Sequence, residues 1–289
     1  MKLIDCPRDA MQGLPHFVPT ELKVKYINTL LGAGFDTVDF GSFVSPKAIP
    51  QMRDTSQVLE GLDLSTTSSK LLAIVANLRG ANDAAAFDQI DCLGFPFSIS
   101  ETFQQRNTGS SIDESLGRVE DIQNVCKKTG KQLVVYISMA FGNPYGDQYH
   151  PDIAASWAER LHRELEVEVL AMSDTVGTST PELIRPLFEQ VIPAFEGVEF
   201  GAHLHSTPEA WQEKIESAYQ AGCRRFDGAM RGYGGCPMAE DDLTGNVASE
   251  KVVRYFTERG IATGVDASVL NDSLMQTTAI FDPMDPMPF

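Results

Sequence analysis

Short apolar segments alternate with helical patterns along most of the chain. Runs of apolar and β-branched residues predict eight strands, at 3–6, 37–43, 71–75, 90–97, 132–139, 167–172, 200–206 and 225–230. Between these runs apolar residues recur at helical spacing, as Ile153, Trp157 and Leu161 do. Eight strand-then-helix units in about 260 residues predict an α/β fold, a parallel (β/α)8 TIM barrel, with an open doubly wound sheet as the main alternative.

The barrel pattern ends near residue 265. We therefore expect one barrel domain over 1–265 and a short C-terminal tail over 266–289. The last helix that the pattern predicts covers about 247–256. The tail ends in the proline-rich stretch 282–289, which predicts a segment that is irregular or docked on a neighbouring subunit.

Charge and cysteine content narrow the classes of partner and compartment. The 40 acidic residues against 23 basic ones give a net charge of −17, which argues against binding to nucleic acid or to an anionic membrane. The 5 cysteines are widely spaced, with no Cys-x-x-Cys pair, and this indicates a reducing compartment. No signal peptide and no apolar run of membrane-spanning length is visible, so a cytoplasmic location is expected.

The seventh predicted strand ends in the pattern His203-x-His205. Because strand side chains alternate, both imidazoles should project from one face of the strand. Phe200, Ala202 and Leu204 should project from the other face. Two imidazoles at a strand end can bind a divalent cation, but they can equally be polar residues bonded to water and backbone.

Polar residues follow other predicted strands as well. Arg8 and Asp9, after the first strand, can bind an oxyanion and a cation, or can form a surface salt bridge. Asp174, after the sixth strand, is a candidate binding group or an ordinary turn residue. After the eighth strand, Cys236 lies on a glycine-rich loop that can deliver a thiol or merely connect elements. Asn246 is either a metal ligand through its amide oxygen or the N-cap of the last helix.

In a barrel, the carboxyl ends of all strands meet at one face, and active sites are built there. The first, seventh and eighth strands are neighbours in a closed barrel, so Asp9, the two histidines and Asn246 should lie close together. A mixed set of nitrogen and oxygen ligands suits Mg²⁺ or Mn²⁺, and Zn²⁺ or Co²⁺ is possible.

Several short segments, taken in order, match one known enzyme family. The segments are Pro7-Arg8-Asp9-x-x-Gln12, Ser42-Phe43-Val44-Ser45-Pro46-Lys47, Pro50-Gln51-Met52, Asn77-Leu78-Arg79-Gly80, Asp174-Thr175-x-Gly177, His203-x-His205, Gly232-x-Gly234-Gly235-Cys236-Pro237 and Gly245-Asn246. On these segments the chain resembles the 3-hydroxy-3-methylglutaryl-CoA lyases, within the metal-dependent TIM-barrel lyase superfamily that includes isopropylmalate and homocitrate synthases. The likeness extends from residue 5 to about residue 265, and the Gly-Gly-Cys-Pro loop favours the lyase branch.

The resemblance implies a carbon–carbon lyase that cleaves 3-hydroxy-3-methylglutaryl-CoA to acetyl-CoA and acetoacetate by metal-assisted retro-Claisen chemistry, in leucine degradation and ketone-body formation. The implied metal ligands are Asp9, His203, His205 and Asn246. The implied catalytic residues are Arg8, Cys236, Asp39 and His203, and the implied substrate-binding residues are Arg8, Gln12, Ser42 and Asp174. Arg8 would hold the thioester carbonyl, and Cys236 would help with proton transfer. The partner is an acyl-CoA substrate. Apolar residues in the C-terminal tail make a homodimer possible.

Four single positions and one short segment depart from the family pattern, the segment being Gly13-Leu14-Pro15-His16, where a more polar stretch with a Lys is usual. Asp39 stands where Glu is usual, Ala10 where Gly is usual, Ser206 where Asp is usual, and Ala171 where Ser is usual. These departures leave the metal set intact but affect its surroundings. Two alternatives therefore stay open. One is a related barrel enzyme, an aldolase or condensing synthase acting on another 3-hydroxy-acyl-CoA or a 2-oxo acid. The other is a non-catalytic barrel that binds a metal or an acyl-CoA.

Overall fold

A closed barrel of eight parallel strands forms the centre of the molecule, with the strands in the order β1 to β8. The computed structural model describes residues 1–235 and 244–281. The strands are β1 (Lys2–Asp5), β2 (Thr37–Ser42), β3 (Lys70–Ile74), β4 (Cys92–Ser98), β5 (Gln132–Ser138), β6 (Val169–Asp174), β7 (Glu199–Leu204) and β8 (Arg225–Gly228). Because β1 pairs in parallel with both β2 and β8, the sheet has no free edge, and the predicted TIM barrel is confirmed.

Helices surround this sheet. They are α1 (Pro7–Gln12), α2 (Thr20–Ala33), α3 (Thr55–Glu60), α4 (Leu78–Ala85), α5 (Glu101–Thr108), α6 (Ile112–Thr129), α7 (Pro151–Leu165), α8 (Pro181–Ala194), α9 (Trp211–Gln220), α10 (Ser249–Thr257) and α11 (Ala267–Phe281). Short 3-10 turns occur at Pro50–Met52 and Met230–Gly232. Within the described ranges, the helices are too short or too polar to span a bilayer.

The alternation predicted for the seventh strand is confirmed in β7. Phe200, Ala202 and Leu204 are buried in the large apolar core between the sheet and the helices. Gly201 faces the barrel interior, where an added Cβ would lie 2.8 Å from the side chain of Arg225. A smaller apolar cluster fills the interior, formed by Leu72, Ile74, Cys92, Val134, Tyr136, Val169 and Ala171. This inner layer supports the residues at the carboxyl ends of the strands.

Two short helices were not predicted. The helix α1 begins directly after β1, and Arg8 and Asp9 lie in its first turn rather than on a loop. The helix α5 follows β4 and precedes the longer helix α6 in the same connection. Thr20 is the first residue of α2, Pro19 occupies the cap position, and the Thr20 hydroxyl donates to Asp54.

The segment after residue 265 contains a helix that the sequence pattern did not predict. The helix α11 packs against α2, and it buries Leu270, Ile280 and Phe281. The ring of Phe281 stacks on Tyr233, with the ring centroids 4.2 Å apart. The last predicted helix, α10, is therefore not the last helix of the chain. The irregular structure predicted for 282–289 lies outside the described residues.

Asp5 is a buried carboxyl group on the helix side of β1. Burial raises the pKa of Asp5 to about 8, and the Ser249 hydroxyl that donates to it opposes this rise only in part. A carboxyl whose folded pKa lies above its unfolded value binds more protons when folded, so its contribution to stability is lost as the pH rises between the two values.

We expect the substitution Asp5→Asn to stabilise the protein increasingly as the pH rises, because the amide carries no charge to bury. The free energy of unfolding of the variant should gain on that of the wild type as the pH rises from about 4 towards 8. Urea unfolding at pH 5, 7 and 9 measures this difference. A difference that stays constant over this range would contradict the expectation.

Candidate active site

A cavity of about 300 Å³ opens at the carboxyl ends of the strands. Arg8, Asp9, Gln12, His203 and His205 line one side of it. These residues come from α1, from the end of β7 and from the residue that follows it. The strands thus deliver the polar residues to the face where barrel enzymes carry their active sites.

Asp9, His203 and His205 form a compact group of metal-binding side chains. One ligand atom from each residue lies within 4.8 Å of the other two. Burial opposes ionisation of Asp9, but Arg8 and the two imidazoles lower its pKa below the usual value. Burial, with the neighbouring His203 ring, lowers the pKa of His205 to about 4, so His205 is neutral and can act as a ligand.

Asn246 lies against this group. Its side-chain nitrogen donates to Asp9 Oδ2 at 2.7 Å and to the carbonyl of Tyr233 at 2.9 Å. A β-bridge joins Asn246 to His205, and this backbone contact holds the amide beside the histidines. The alternative role as N-cap is wrong, since α10 begins at Ser249 and its cap is Ala248.

Gly234 allows the glycine-rich loop to approach α1. An added Cβ there would lie 2.8 Å from the Cα of Ala10 and 2.8 Å from the side-chain nitrogen of Asn246. Its φ of 98° is also one that side chains rarely permit. The loop backbone at Gly234 therefore packs against the backbone of Asp9 and Ala10 and against the Asn246 side chain. The predicted loop thiol, Cys236, lies outside the described residues.

Arg8 is the centre of a buried network of charges and amides. Its guanidinium donates to Asp39 through Nε at 3.0 Å and through Nη2 at 2.5 Å, and its Nη1 donates to Asp9 at 3.1 Å and to Gln12 at 2.9 Å. Arg8 is 8% exposed, so the alternative of a surface salt bridge is wrong. Burial would lower the pKa of Arg8, but the two carboxylates raise it and keep the guanidinium charged.

Two of the predicted site residues, Asp39 and Ser42, come from β2. Ser42 lines the cavity, and its hydroxyl lies 3.3 Å from the carbonyl of Ile74. Asp39 is fully buried behind Arg8 and does not line the cavity. Burial raises the pKa of Asp39 to about 6, although Arg8 acts in the opposite direction. Asp39 therefore acts on the site by holding Arg8 in place.

Asp227 contacts a predicted metal ligand, and the sequence pattern did not single it out. It lies on β8 beside His203, and its Oδ2 is 3.3 Å from His203 Nδ1. Burial opposes protonation of His203, but this carboxylate raises the pKa of the ring above its usual value. A carboxylate on one ring nitrogen fixes the orientation of the imidazole and leaves the other nitrogen for a ligand. Its position on the inward face of β8 was the one available signal.

Asp174 is predicted to bind substrate, but it does not line the cavity. It is 1% exposed and does not line the cavity, whereas its neighbours Ser173 and Thr175 do. Its Oδ2 accepts hydrogen bonds from Ser179 and from Lys214, the latter at 3.0 Å. The prediction that Asp174 contacts a ligand in this cavity is therefore corrected. Its carboxylate forms a buried ion pair with Lys214 and supports the cavity from behind.

Lys214, on α9, was also missed by the sequence analysis. It is 4% exposed, and its ammonium group makes three hydrogen bonds. Besides Asp174, it donates to the carbonyl of His205 at 2.8 Å and to the carbonyl of Gly177 at 3.1 Å. A single buried cation thus joins the loop after β6 to the backbone of a predicted metal ligand.

We expect Lys214→Met to destabilise the protein by about 3–5 kcal/mol, because it leaves the buried Asp174 carboxylate unpaired. Urea unfolding gives the change in the free energy of unfolding. The double variant Lys214→Met with Asp174→Asn should be less destabilised than the sum of the two single variants. Strict additivity of the two changes would show that the ion pair does not contribute.

The residues at the cavity fit a divalent cation. Two imidazoles, one carboxylate and one amide provide nitrogen and oxygen donors of the kinds that such ions take. One buried ring nitrogen, Nδ1 of His205, has no hydrogen-bond partner among the described residues. A buried polar atom without a partner is costly, and this suits a site that is completed by a ligand.

Comparisons with known proteins agree with this geometry. The HMGL-like family profile matches residues 1–276. The cytoplasmic 3-hydroxy-3-methylglutaryl-CoA lyase of Rattus norvegicus is 32% identical over 260 residues, which cover 90% of this chain and 75% of that protein. A hydroxymethylglutaryl-CoA lyase of Bacillus subtilis is 31% identical over 259 residues, with 90% and 85% covered.

Solved structures give the same result. The HMG-CoA lyase from Acinetobacter baumannii, in complex with coenzyme A and 3-methylmalate, superposes with a TM-score of 0.89 at 27% identity, covering 99% of this chain and 97% of that one. The Bacillus subtilis HMG-CoA lyase also gives 0.89, at 29% identity, with 96% and 92% covered. Taken with the barrel and its polar cavity, these similarities show that the chain belongs to the HMGL-like family.

Proposed function

We propose that this protein is a carbon–carbon lyase that cleaves 3-hydroxy-3-methylglutaryl-CoA to acetyl-CoA and acetoacetate. The observation that carries the proposal is the placement of Arg8 beside the group of Asp9, His203 and His205 at one cavity. A cation site next to a fixed guanidinium matches a reaction in which a hydroxyl is deprotonated and an enolate forms a short distance away. The similarity to enzymes that bear this name supports the same activity.

Asp9, His203, His205 and Asn246 would hold the divalent metal, which we take to be Mg²⁺ or Mn²⁺. When bound, such an ion lowers the pKa of a coordinated hydroxyl and orients the substrate. The protein contributes the orientation of the ligands. Asp227 fixes the His203 ring through Nδ1, and the bond from Asn246 fixes one oxygen of Asp9.

The side chains of the site account for the movement of charge and protons. His203 or Asp9 takes the proton of the 3-hydroxyl group as general base. The bond between C2 and C3 then breaks, and the electron pair moves onto the thioester to give the enolate of acetyl-CoA. The Arg8 guanidinium, held by Asp39 and Gln12, stabilises the enolate oxygen. The predicted donor of the proton that completes acetyl-CoA is Cys236, which lies outside the described residues.

The test is the release of the acyl-CoA product from a panel of 3-hydroxy-acyl-CoA thioesters, measured with and without Mg²⁺ by chromatography that separates acetyl-CoA from propionyl-CoA. The panel includes the 3-methylmalyl thioester, because a similar structure contains coenzyme A and 3-methylmalate. We expect metal-dependent cleavage of 3-hydroxy-3-methylglutaryl-CoA. Faster cleavage of another thioester would correct the acyl group. Tight binding with no cleavage of any thioester or 2-oxo acid would support the non-catalytic alternative instead.

A further inference from the structure

A row of charged side chains runs along the inside of the barrel, from its amino-terminal end to His203. Lys2, Glu199 and Arg225 are the first residues of β1, β7 and β8. Lys2 pairs with Glu199, and Glu199 Oε1 accepts a hydrogen bond from Arg225 Nη1 at 3.3 Å. Arg225 Nε lies 3.8 Å from Asp227 Oδ1, and Asp227 Oδ2 lies 3.3 Å from His203 Nδ1. Charges of alternating sign thus connect the far end of the barrel with a proposed metal ligand.

Arg225 is the buried cation of this row. It is 4% exposed, although it stands at the start of a strand. Its side chain passes Gly201, where any larger residue would meet it. Burial lowers the pKa of Arg225, but Asp227, Tyr136 and Glu199 raise it, so the guanidinium is charged. The interior of the barrel therefore contains a permanent positive charge below the active-site cavity.

The contact between Arg225 and Asp227 depends on charge rather than on hydrogen bonds. Among the described residues, Nε and Nη2 of Arg225 and Oδ1 of Asp227 have no hydrogen-bond partner. A separation of 3.8 Å is too long for a hydrogen bond, yet two opposite charges at this distance attract each other strongly inside a protein. Another cation of similar reach should therefore serve as well as arginine.

Asp227 needs a cation beside it. The carboxylate is 2% exposed, and its hydrogen bond comes from His203. A histidine that binds a metal is neutral, so His203 cannot balance the charge of this carboxylate in the loaded protein. Within residues 1–235 and 244–281, Arg225 is the one lysine or arginine within 4.0 Å of it. A buried carboxylate without a cation is strongly unfavourable.

We infer that Arg225 is a positioning residue for the metal site, which acts through Asp227 on His203. Its charge balances the Asp227 carboxylate. That carboxylate then accepts the Nδ1 proton of His203 and leaves the other ring nitrogen for the metal. The inference rests on the proposed metal ligands, but it does not depend on which thioester is cleaved.

The direction of the effect separates this role from a direct electrostatic one. A guanidinium inside the barrel repels a divalent cation, so its removal would tighten metal binding if repulsion were its whole effect. Removal of a group that supports a metal ligand weakens binding instead, by about 10–100-fold for the direct partners of ligands. The affinity for Mn²⁺ therefore gives the answer without any measurement of turnover.

The test measures the Kd for Mn²⁺ by electron paramagnetic resonance in Arg225→Met and Arg225→Lys. We expect Arg225→Met to raise Kd about tenfold. Arg225→Lys should stay within about threefold of the wild type, because it keeps the charge. The control is Lys131→Met. Lys131 directly precedes β5 at the same end of the barrel, but its ammonium donates to the carbonyls of Phe87 and Ile90 and not to this row of charges. Its Kd should be unchanged.

A second comparison remains open if Arg225→Met does not fold. The double variant Arg225→Met with Asp227→Asn removes both buried charges, which proteins tolerate better than the loss of one. It should bind Mn²⁺ as the single variant Asp227→Asn does, because Arg225 acts through the carboxylate that both variants lack. Circular dichroism verifies that each variant is folded.

Three results would overturn the inference. One is an unchanged or lowered Kd in folded Arg225→Met. Another is an equal rise of Kd in the Met and Lys variants, which would show that shape rather than charge matters. The third is a Kd for the double variant that differs from that of Asp227→Asn. Wild-type protein that binds no Mn²⁺ would remove the metal site and this inference together. Wild-type protein that binds Mn²⁺ but cleaves no thioester would contradict only the lyase activity.

Discussion

Replacing Arg8 by glutamine is expected to lower kcat by about 10²-fold or more. Arg8 supplies a charged hydrogen-bond donor beside the Asp9 carboxylate. Its interaction with the substrate strengthens as the enolate oxygen gains negative charge. The glutamine side chain can still donate a hydrogen bond through its amide, but it carries no charge. Steady-state kinetics on 3-hydroxy-3-methylglutaryl-CoA, at saturating Mg²⁺, gives the change in kcat separately from KM.

The substitution also removes the cation that Asp39 and Asp9 share, so the folding of the variant must be verified. Circular dichroism and a thermal melt serve this purpose. The variant Arg8→Lys keeps the charge without the fork of donors, and it should fall between the wild type and Arg8→Gln. A folded Arg8→Gln variant with a near-normal rate would exclude the role that we assign to Arg8.

Removing divalent metal is expected to have the largest effect of all, with activity falling by about 10³-fold or more, because the metal supplies several kcal/mol to the transition state. Dialysis against EDTA followed by addition of Mg²⁺ or Mn²⁺ should remove and then restore activity. His205→Gln should weaken Mn²⁺ binding, which electron paramagnetic resonance measures without reference to turnover.

Ser206→Ala is the matched control for this experiment. Ser206 adjoins His205 in the chain, but its hydroxyl donates to the carbonyl of Thr207 and not to the metal-binding group. Mn²⁺ affinity should therefore be unchanged in Ser206→Ala. Full activity in protein shown by elemental analysis to be free of metal would contradict the whole assignment of the site.

The parts of the fold that follow from periodicity were predictable from the sequence. The alternation in β7 placed Phe200 and Leu204 in the outer core and turned His203 inward, as found. Such patterns are readable because every second residue of a strand meets the same environment. The short helix α5 could not be predicted in this way, because most of its residues are polar. Its position depends on hydrogen bonds from Ser100 and Thr102 to Asp147, which is distant in the sequence.

Charged side chains were the least predictable part of the site. Lys214 follows Gln212 and Glu213 in a polar stretch, and nothing local distinguishes it from a solvated residue. Its burial results from the packing of α9 beside the ends of β6 and β7, which brings it to Asp174. Asn246 was ambiguous for the same reason, because local sequence supports capping, whereas in the structure α10 begins at Ser249 and the Asn246 amide contacts Asp9.

The metal-binding group lies across the closure of the barrel, where β1 pairs with β8. Asp9 and Asn246 are 237 positions apart in the chain, yet their side chains are directly bonded. During synthesis, the four proposed ligands cannot assemble before nearly the entire barrel has left the ribosome. Only a chain with a closed barrel can therefore bind the metal through all four ligands. Metal binding then stabilises the closed barrel relative to partly folded chains.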